Sequence, residues 1–230
     1  LWNREEFDGE IMAKGIDDTY HDMRTLVAEE TEVHPAVPVE AGHPHYILYT
    51  SGTTGAPKGV VRDQVGTTVA LNFSFDWVYD FQVGSRFFCA ADFGWVAGHH
   101  ILLYAPLIRG ATTVVFEGKP VIPDSGELFR ICEKHAIEHI FVAPTAVREI
   151  ARLDNDGDLI KACDLTKLRT IHVAGERCDP KTLRWLNNIV PTAILNDQWW
   201  QTESGFPMIT NIMNQDKFGP VFPTLPGSST

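Results

Sequence analysis

Tyr46-Ile47-Leu48-Tyr49-Thr50-Ser51-Gly52-Thr53-Thr54-Gly55-Ala56-Pro57-Lys58-Gly59-Val60-Val61 is the stretch from which the rest of the chain is read. Tyr46 to Tyr49 is an apolar run that predicts a buried strand. It leads into a loop of hydroxyls and glycines holding one lysine, and a second apolar run follows. Glycine lets backbone N–H groups approach an anion closely, because no Cβ blocks the way. Successive N–H groups in such a turn form an anion cradle. Thr50, Ser51, Gly52, Thr53, Thr54, Gly55 and Lys58 together are equipment for holding a polyphosphate. The pattern is not the Walker loop, which needs Gly-Lys followed by Ser or Thr. The plainer alternative is a flexible Gly/Ser/Thr surface loop. It fits less well, because a strand feeds the loop and Pro57 fixes the backbone before the lysine.

Outward from this loop, apolar runs alternate with helical stretches. Upstream, Asp17-Asp18 to Val27 predicts a short helix with acidic residues at its start, and 31–44 a proline-rich connector. Downstream, helices are expected over 67–78, 99–107, about 126–135, 144–153 and 180–190. Strands are expected over 86–91, 111–116, 140–143, 170–174 and 193–196, and a polar loop over 154–164. Strands alternating with helices predict an α/β fold, a parallel sheet flanked by helices. In such sheets ligands lie beyond the carboxyl ends of the strands. The strands ending at Tyr49, Ala174 and Leu195 each run into polar or small-residue loops, and these three loops are expected to converge.

The 230 residues are enough for a substantial core, and 44% hydrophobic with 21% charged residues is ordinary globular composition. A net charge of −11 argues against a general nucleic-acid or anionic-membrane binder. No apolar run has the length of a membrane span. Cys89, Cys132, Cys163 and Cys178 are scattered without a Cys-x-x-Cys pair, so buried reduced thiols in an intracellular protein are expected. The chain opens on Leu1 and carries no basic segment followed by an apolar one, so no secretory signal is visible.

The whole loop string closely resembles the phosphate-binding signature of the adenylate-forming enzymes: acyl-CoA synthetases, luciferases and peptide-synthetase adenylation domains. Pro57 to Asp63 is most similar to the short-chain acyl-CoA synthetases, especially the propionyl-CoA type. Tyr20-His21-Asp22 resembles the Trp-His-Asp that precedes the loop in acetyl-CoA synthetases. Asp197-Gln198-Trp199-Trp200-Gln201-Thr202-Glu203-Ser204-Gly205 resembles the family's Trp-Trp-Gln-Thr-Glu motif. The resemblance implies that Asp197 to Thr202 line the adenine and α-phosphate, with the Thr202 hydroxyl on the phosphate. It implies that Glu203 helps hold Mg²⁺, a hard cation suited to carboxylate and phosphate oxygens. Gly175-Glu176-Arg177 matches the segment that borders the adenine; alone, an ordinary strand-to-helix turn would explain it.

Asp92 to His99 resembles the family's Asp-x-Gly-Trp-x-x-Gly-His segment, which lines the acyl pocket and the path to CoA, here through Trp95, Val96 and Ala97. Acetate enzymes usually carry Thr where Ala97 stands and Val where Ala174 stands. Two such losses of volume enlarge the pocket by roughly a methylene, and each methylene is worth about 1 kcal/mol or more of discrimination. Trp200 matches the tryptophan that floors a short pocket. Together these favour propionate over acetate or fatty acids, with an acetate enzyme as the alternative. Val121 departs from the Asn of acetate enzymes near the CoA path.

The resemblance therefore implies an internal piece of the large N-terminal adenylation region, without the C-terminal domain that carries the catalytic lysine. It implies ATP, Mg²⁺ and coenzyme A, small-molecule substrates with no protein partner, and a place in the mitochondrial matrix or cytoplasm. Lys58, Thr202 and Glu203 are the implied catalytic residues. A different class is offered by His135-Ala136-Ile137-Glu138-His139, which fits the His-x-x-Glu-His string of inverted zinc proteases. That motif needs both histidines on one continuous helix, and here the helix is expected to end near His135. A nucleotide-binding fragment without activity of its own is the remaining non-enzyme alternative.

Overall fold

The structure is a computed structural model that describes residues 23–30, 35–51 and 55–211. The chain divides into two compact units after Val39. The first contains one described helix, α1 (Met23–Glu29). The expected Tyr20-His21-Asp22 motif lies outside the described residues.

The second unit opens with β1 (Pro44–Thr50) and β2 (Lys58–Asp63), which pair antiparallel with Tyr49 opposite Gly59 and Thr50 opposite Lys58. This corrects the expectation of a buried strand in the parallel sheet. The hairpin is a separate two-stranded ribbon, and Ile47 and Tyr49 are 57% and 70% exposed. The apolar run is strand-forming for a different reason. A two-stranded ribbon covers only one face, so residues two apart share a buried or an open side. Tyr46 and Leu48 are the less exposed pair at one end, and Lys58 stands exposed at the neck of the loop.

Asp63 then caps α2 (Gln64–Trp77) by accepting from the Gly66 N–H at 3.1 Å. There follow β3 (Arg86–Ala90), a π-helical turn (Gly98–Tyr104) running into α3 (Ala105–Ile108), and β4 (Thr112–Val114). Next come α4 (Glu127–Lys134), β5 (His139–Val142) and α5 (Pro144–Leu153). The polar stretch 154–164, expected as loop, contains a short helix, α6 (Asp158–Lys161). The Asp154 carboxylate caps it by accepting from the Asp158 and Leu159 N–H groups, both at 2.9 Å. Its single turn buries only Ile160, too little periodicity to read from sequence. β6 (Thr170–Val173), α7 (Pro180–Ile189) and β7 (Ile194–Asp197) complete the order.

The five later strands form one parallel sheet in the order β4-β3-β5-β6-β7. Both faces are covered, so β5 and β6 are buried at every position. Phe88, Ile140, Val142, Ile171 and Val173 pack with α4, α5 and α7 on one face. Phe87, Cys89 and Phe141 pack with α2, the π-helical turn and α3 on the other. None of the four cysteines is paired, and Cys89, Cys132 and Cys178 are buried.

On the α2 side the period of two brings polar residues inward as well. A single directed chain of hydrogen bonds results. Tyr79 Oη donates to Gln198 Oε1 at 2.9 Å, and Gln198 Nε2 donates to His172 Nδ1 at 3.1 Å. His172 therefore carries its proton on Nε2 and donates to Thr170 Oγ1 at 2.8 Å. Thr170 Oγ1 in turn donates to His139 Nδ1, also at 2.8 Å. His139 Nε2 is left buried with no partner. Burial holds both histidines in the neutral form: His139 is pushed down to about 3 and His172 well below its ordinary value.

His139 also settles the zinc-protease alternative. His135 closes α4, Ala136 takes a left-handed φ of 49°, and His139 opens β5, so the two histidines share no helix face.

On unfolding, His139 and His172 regain ordinary titration near pH 6.5 and bind protons that the fold excludes. Their contribution to stability is present above that pH and is lost as pH falls toward about 3. Each proton taken up on unfolding gives a slope of about 1.4 kcal/mol per pH unit. Urea midpoints of the full protein containing this chain should therefore drop steadily from pH 7 to pH 5. His139→Phe should flatten that drop, and a midpoint independent of pH across this range would contradict the neutral buried pair.

Candidate active site

β6 and β7 end at the same level, with Val173 opposite Asp197. The ladder extends one residue further, because the Gln198 N–H donates to the Val173 carbonyl at 2.9 Å. The loops that follow the two strands therefore leave the sheet side by side, at its carboxyl edge. From β6 come Ala174, Gly175, Glu176 and Arg177. Gly175 has a φ of +104°, which a side chain would strain, and the space a Cβ would enter is open. Arg148 of α5 pairs with Glu176 and lies 3.6 Å from Asp179. Asp179 caps α7 through Thr182 N at 2.9 Å. Exposed pairs of this kind add little stability, about 0–1 kcal/mol. Their effect here is to fix where the loop turns.

From β7 come Asp197 to Gly205. Asp197 is half-buried; desolvation raises its carboxyl above the ordinary range, opposed by the nearby Arg177 guanidinium and the Gln198 N–H. Trp199 forms a two-way backbone bridge with Ile209, at 2.8 and 3.1 Å, so residues 200–208 leave and return at one point. Inside that loop the Gly205 N–H donates to the Gln201 carbonyl at 3.0 Å, and the Gln201 N–H donates to Ser204 Oγ at 3.2 Å. Thr202 and Glu203 thus ride on a tight turn. Glu203 is exposed, with no hydrogen-bond partner among the described residues. Asn196 is fully buried and closes the base of the loop: its Oδ1 accepts from Asn211 N at 3.2 Å, and its Nδ2 donates to Asn211 O at 3.1 Å.

The expected acyl-pocket residues divide. Ala97, Ala174 and Trp200 meet in one apolar cluster with Phe141, whose ring lies 6.2 Å from that of Trp200 in an edge-on arrangement. Val96 is buried. Trp95 is 69% exposed and stands apart from them, on the turn Asp92–Gly98. Trp200 Nε1 is a buried donor without a partner.

Gln198, expected to line the adenine with its neighbours, is buried, and its side chain bonds to Tyr79 and His172. Its neighbour Trp199 is exposed instead. Of the phosphate loop, Thr50, Ser51, Gly55 and Lys58 lie at or near the neck of the β1–β2 hairpin, and Gly52, Thr53 and Thr54 lie outside the described residues.

The hairpin is tied to the β7 loop by residues outside the expected site residues. Arg62 of β2 donates from Nη2 to the Thr202 carbonyl. His100, fully buried in the π-helical turn, meets the Gly205 carbonyl at 2.5 Å through Nδ1. A carbonyl only accepts, so Nδ1 carries the proton and Nε2 accepts from the Tyr46 hydroxyl. Burial pushes His100 down to about 4, so it stays neutral, and pushes the Tyr46 hydroxyl up to about 12. The expected convergence of three loops is thus seen as two adjacent strand ends with a hairpin fastened alongside.

Among the described residues no group of three or more His, Cys, Asp or Glu side chains is placed to hold a metal by itself, and no helix is long and apolar enough to cross a membrane. A single exposed carboxylate fits Mg²⁺, which is commonly bound by one or two carboxylates plus substrate phosphates.

Comparison with known proteins shows the family. The profile of the family described as "AMP-binding enzyme" matches residues 6–228. The chain is 45% identical over 203 residues to acyl-CoA synthetase short-chain family member B, mitochondrial, of Dictyostelium discoideum, covering 88% of this chain and 29% of that protein. It is 44% identical over 209 residues to the human acyl-CoA synthetase short-chain family member 3, mitochondrial, covering 90% and 30%. It is 43% identical over 175 residues to propionate–CoA ligase of Escherichia coli, covering 76% and 27%. The chain spans less than a third of the length of these relatives. It belongs to the AMP-binding enzyme family.

Gly98 sits where the turn carrying Trp95 and Ala97 closes on itself. A Cβ there would lie 2.4 Å from the Asp92 carbonyl oxygen and 2.5 Å from Phe93 Cα, both backbone atoms. Gly98→Ala should therefore destabilise the full protein by about 1–3 kcal/mol, as overpacking does. Gly42→Ala, where nothing lies within 4 Å, should be close to neutral. Equal urea midpoints for the two variants would contradict the packing described for this turn.

Proposed function

We propose that the full protein containing this chain activates a short-chain carboxylate with ATP and passes the acyl group to coenzyme A, with propionate as the favoured acid. The observation that carries the choice of acid is the meeting of Ala97, Ala174 and Trp200 in one cluster beside the ends of β6 and β7. In this reading the two small side chains would admit a short acyl chain and the large ring of Trp200 would stop a long one. Membership in the AMP-binding enzyme family and likeness to short-chain synthetases support the reaction class.

In the first half-reaction a carboxylate oxygen attacks the α-phosphorus of ATP. An acyl–O–P bond forms, the α–β phosphoanhydride breaks, and pyrophosphate leaves. In the second, the thiolate of coenzyme A attacks the acyl carbonyl and AMP departs, giving the thioester. The difficulty of the first half is electrostatic, since an anion approaches a polyanion. Preorganised donors lower that barrier more than flexible ones do. In this reading Thr50, Ser51, Gly52, Thr53, Thr54, Gly55 and Lys58 hold the departing pyrophosphate, and the Thr202 hydroxyl steadies the α-phosphate. Glu203 would hold Mg²⁺, which when bound supplies neutralisation of phosphate charge. Gly175, Glu176, Arg177 and Asp197 to Gln201 border the nucleotide by backbone and ring faces, with Gln198 acting from beneath. Trp95 and Val96 belong to the path by which coenzyme A enters. The mitochondrial relatives favour the mitochondrial matrix over the cytoplasm for this protein.

Carboxylate-dependent ATP–pyrophosphate exchange by the full protein should peak at propionate when acetate, propionate, butyrate and octanoate are compared. A peak at acetate would keep the chemistry and overturn the pocket assignment. Absence of exchange with every acid would overturn the activity itself. Lys58→Ala should slow exchange by about 10- to 1,000-fold, in the range seen when one charge-stabilising donor is removed; an unchanged rate would remove Lys58 from the mechanism.

A further inference from the structure

The turn that carries Thr202 and Glu203 is held at both of its carbonyl ends by side chains from outside the sheet. Arg62 of β2 donates to Thr202 O, and His100 donates to Gly205 O. Tyr46, directly opposite Arg62 in the β1–β2 register, closes the set by donating to His100 Nε2. Gly205 itself is shaped for this contact. Its φ is +75°, and a Cβ there would lie 2.8 Å from Arg62 Cζ and 2.9 Å from His100 Cε1. The two side chains therefore press against the backbone at Gly205 as well as bonding to it.

We propose that Arg62, His100 and Tyr46 form a positioning clamp that fixes the Thr202–Gly205 turn to the phosphate-loop hairpin. The proposal rests on the carboxylate-activation reading only for its catalytic consequence. Arg62 lies four residues along β2 from Lys58, as Tyr46 lies four residues along β1 from Thr50. That is about 13 Å of strand. The clamp thus grips the root of the same ribbon whose tip is the phosphate loop. The ribbon then connects the groups assigned to the departing pyrophosphate with those assigned to the α-phosphate. None of the three clamp side chains needs to touch substrate. They act through the two carbonyls they hold, so their removal loosens geometry rather than deleting a donor. His100 suits the task because its two nitrogens bond in opposite senses, one giving and one taking a proton, which only the neutral ring can do. Arg62 adds a charged donor that keeps one guanidinium nitrogen, Nε, buried and unpartnered, a group that persists only where its surroundings hold it in place.

The test uses the full protein and five variants: Arg62→Met, Arg62→Lys, His100→Ala, His100→Asn and Tyr46→Phe. Two readouts are taken. Amide hydrogen exchange reports the clamp itself. In Arg62→Met and His100→Ala, exchange should rise together in peptides covering 201–206, 44–50 and 58–63, while peptides covering 139–142 and 170–173 stay as protected as in the parent. His100→Asn, which keeps a donor at the place of Nδ1, should restore protection at 201–206. Tyr46→Phe should loosen the hairpin peptides more than the turn. ATP–pyrophosphate exchange then reports the consequence: kcat should fall about 10- to 100-fold in Arg62→Met and His100→Ala, as a misplacement of about 1 Å does. KM for the carboxylate should change little, and His100→Asn and Arg62→Lys should recover most of the rate.

Unchanged protection at 201–206 in both Arg62→Met and His100→Ala overturns the clamp, whatever the activity. A rate that falls only in proportion to the folded fraction, without rescue by His100→Asn, overturns its positioning role. If the parent protein shows no exchange with any acid, the functional reading falls and the clamp's catalytic purpose with it. Coupled deprotection in that case still supports the mechanical tie.

Discussion

Val173 faces Asp197 across a parallel ladder, and the Gln198 N–H extends that ladder to the Val173 carbonyl. Everything at the candidate site follows from this register. Parallel strands must return by a crossover, so their carboxyl ends lie on one edge, and loops that follow them emerge together. Because β5 and β6 are buried on both faces, a one-residue slip would turn His139, Thr170 and His172 into the apolar face that packs on α4, α5 and α7. The pairing is thus strongly determined by packing, and the positions of Gly175, Glu176 and Arg177 against Asp197 to Gln201 are inherited from it.

The polar chain from Tyr79 to His139 starts at that edge with Gln198 and runs through the sheet to Thr170 and His139, which open β6 and β5. Burying five polar side chains contributes little net stability, since each bond to protein replaces one to water. It does reward a single arrangement, because any shift leaves a buried donor or acceptor unmatched. His139 Nε2 already stands in that condition at the chain's end. Gln198 belongs to this chain and begins the loop that continues into Trp199 and Trp200. The loop is therefore held at its start by a buried side chain, at its middle by Arg62 and His100, and at its return by Asn196 and the Trp199–Ile209 bridge. An exposed turn bearing Thr202 and Glu203 is kept in one place by groups that are themselves mostly inside the protein.

Most of this order was legible in the sequence, because buried parallel strands read as short apolar runs and the helices carry start signals, Asp63 and Asp179 as caps and Pro144 and Pro180 in the first turn. The hairpin was misread for the same reason that the others were read well. Tyr46-Ile47-Leu48-Tyr49 is as apolar as a core strand, and only its antiparallel partner reveals that half of it is open. The side-chain partners of Gln198 were not legible, because Tyr79 and His172 lie 119 and 26 positions away in the chain. Thr170 and His172 sit inside an expected strand and His139 just before another, with no local cue that all three share one face. Arg62 and His100 carried a weak signal: one stands within a recognised motif and the other next to one, where a long donor or an imidazole has the reach to serve the neighbouring loop.

The measurement that tests the account most directly is a crystal structure of the full protein with a propyl ester of AMP, a stable stand-in for the acyl-adenylate. The account predicts the adenine between Gly175–Arg177 and Trp199–Gln201, the phosphate at the Thr202 hydroxyl, and the propyl group against Ala97, Ala174 and Trp200. A ligand bound away from the carboxyl edge of β6 and β7, or with its propyl group turned from the Ala97–Ala174–Trp200 cluster, would contradict it.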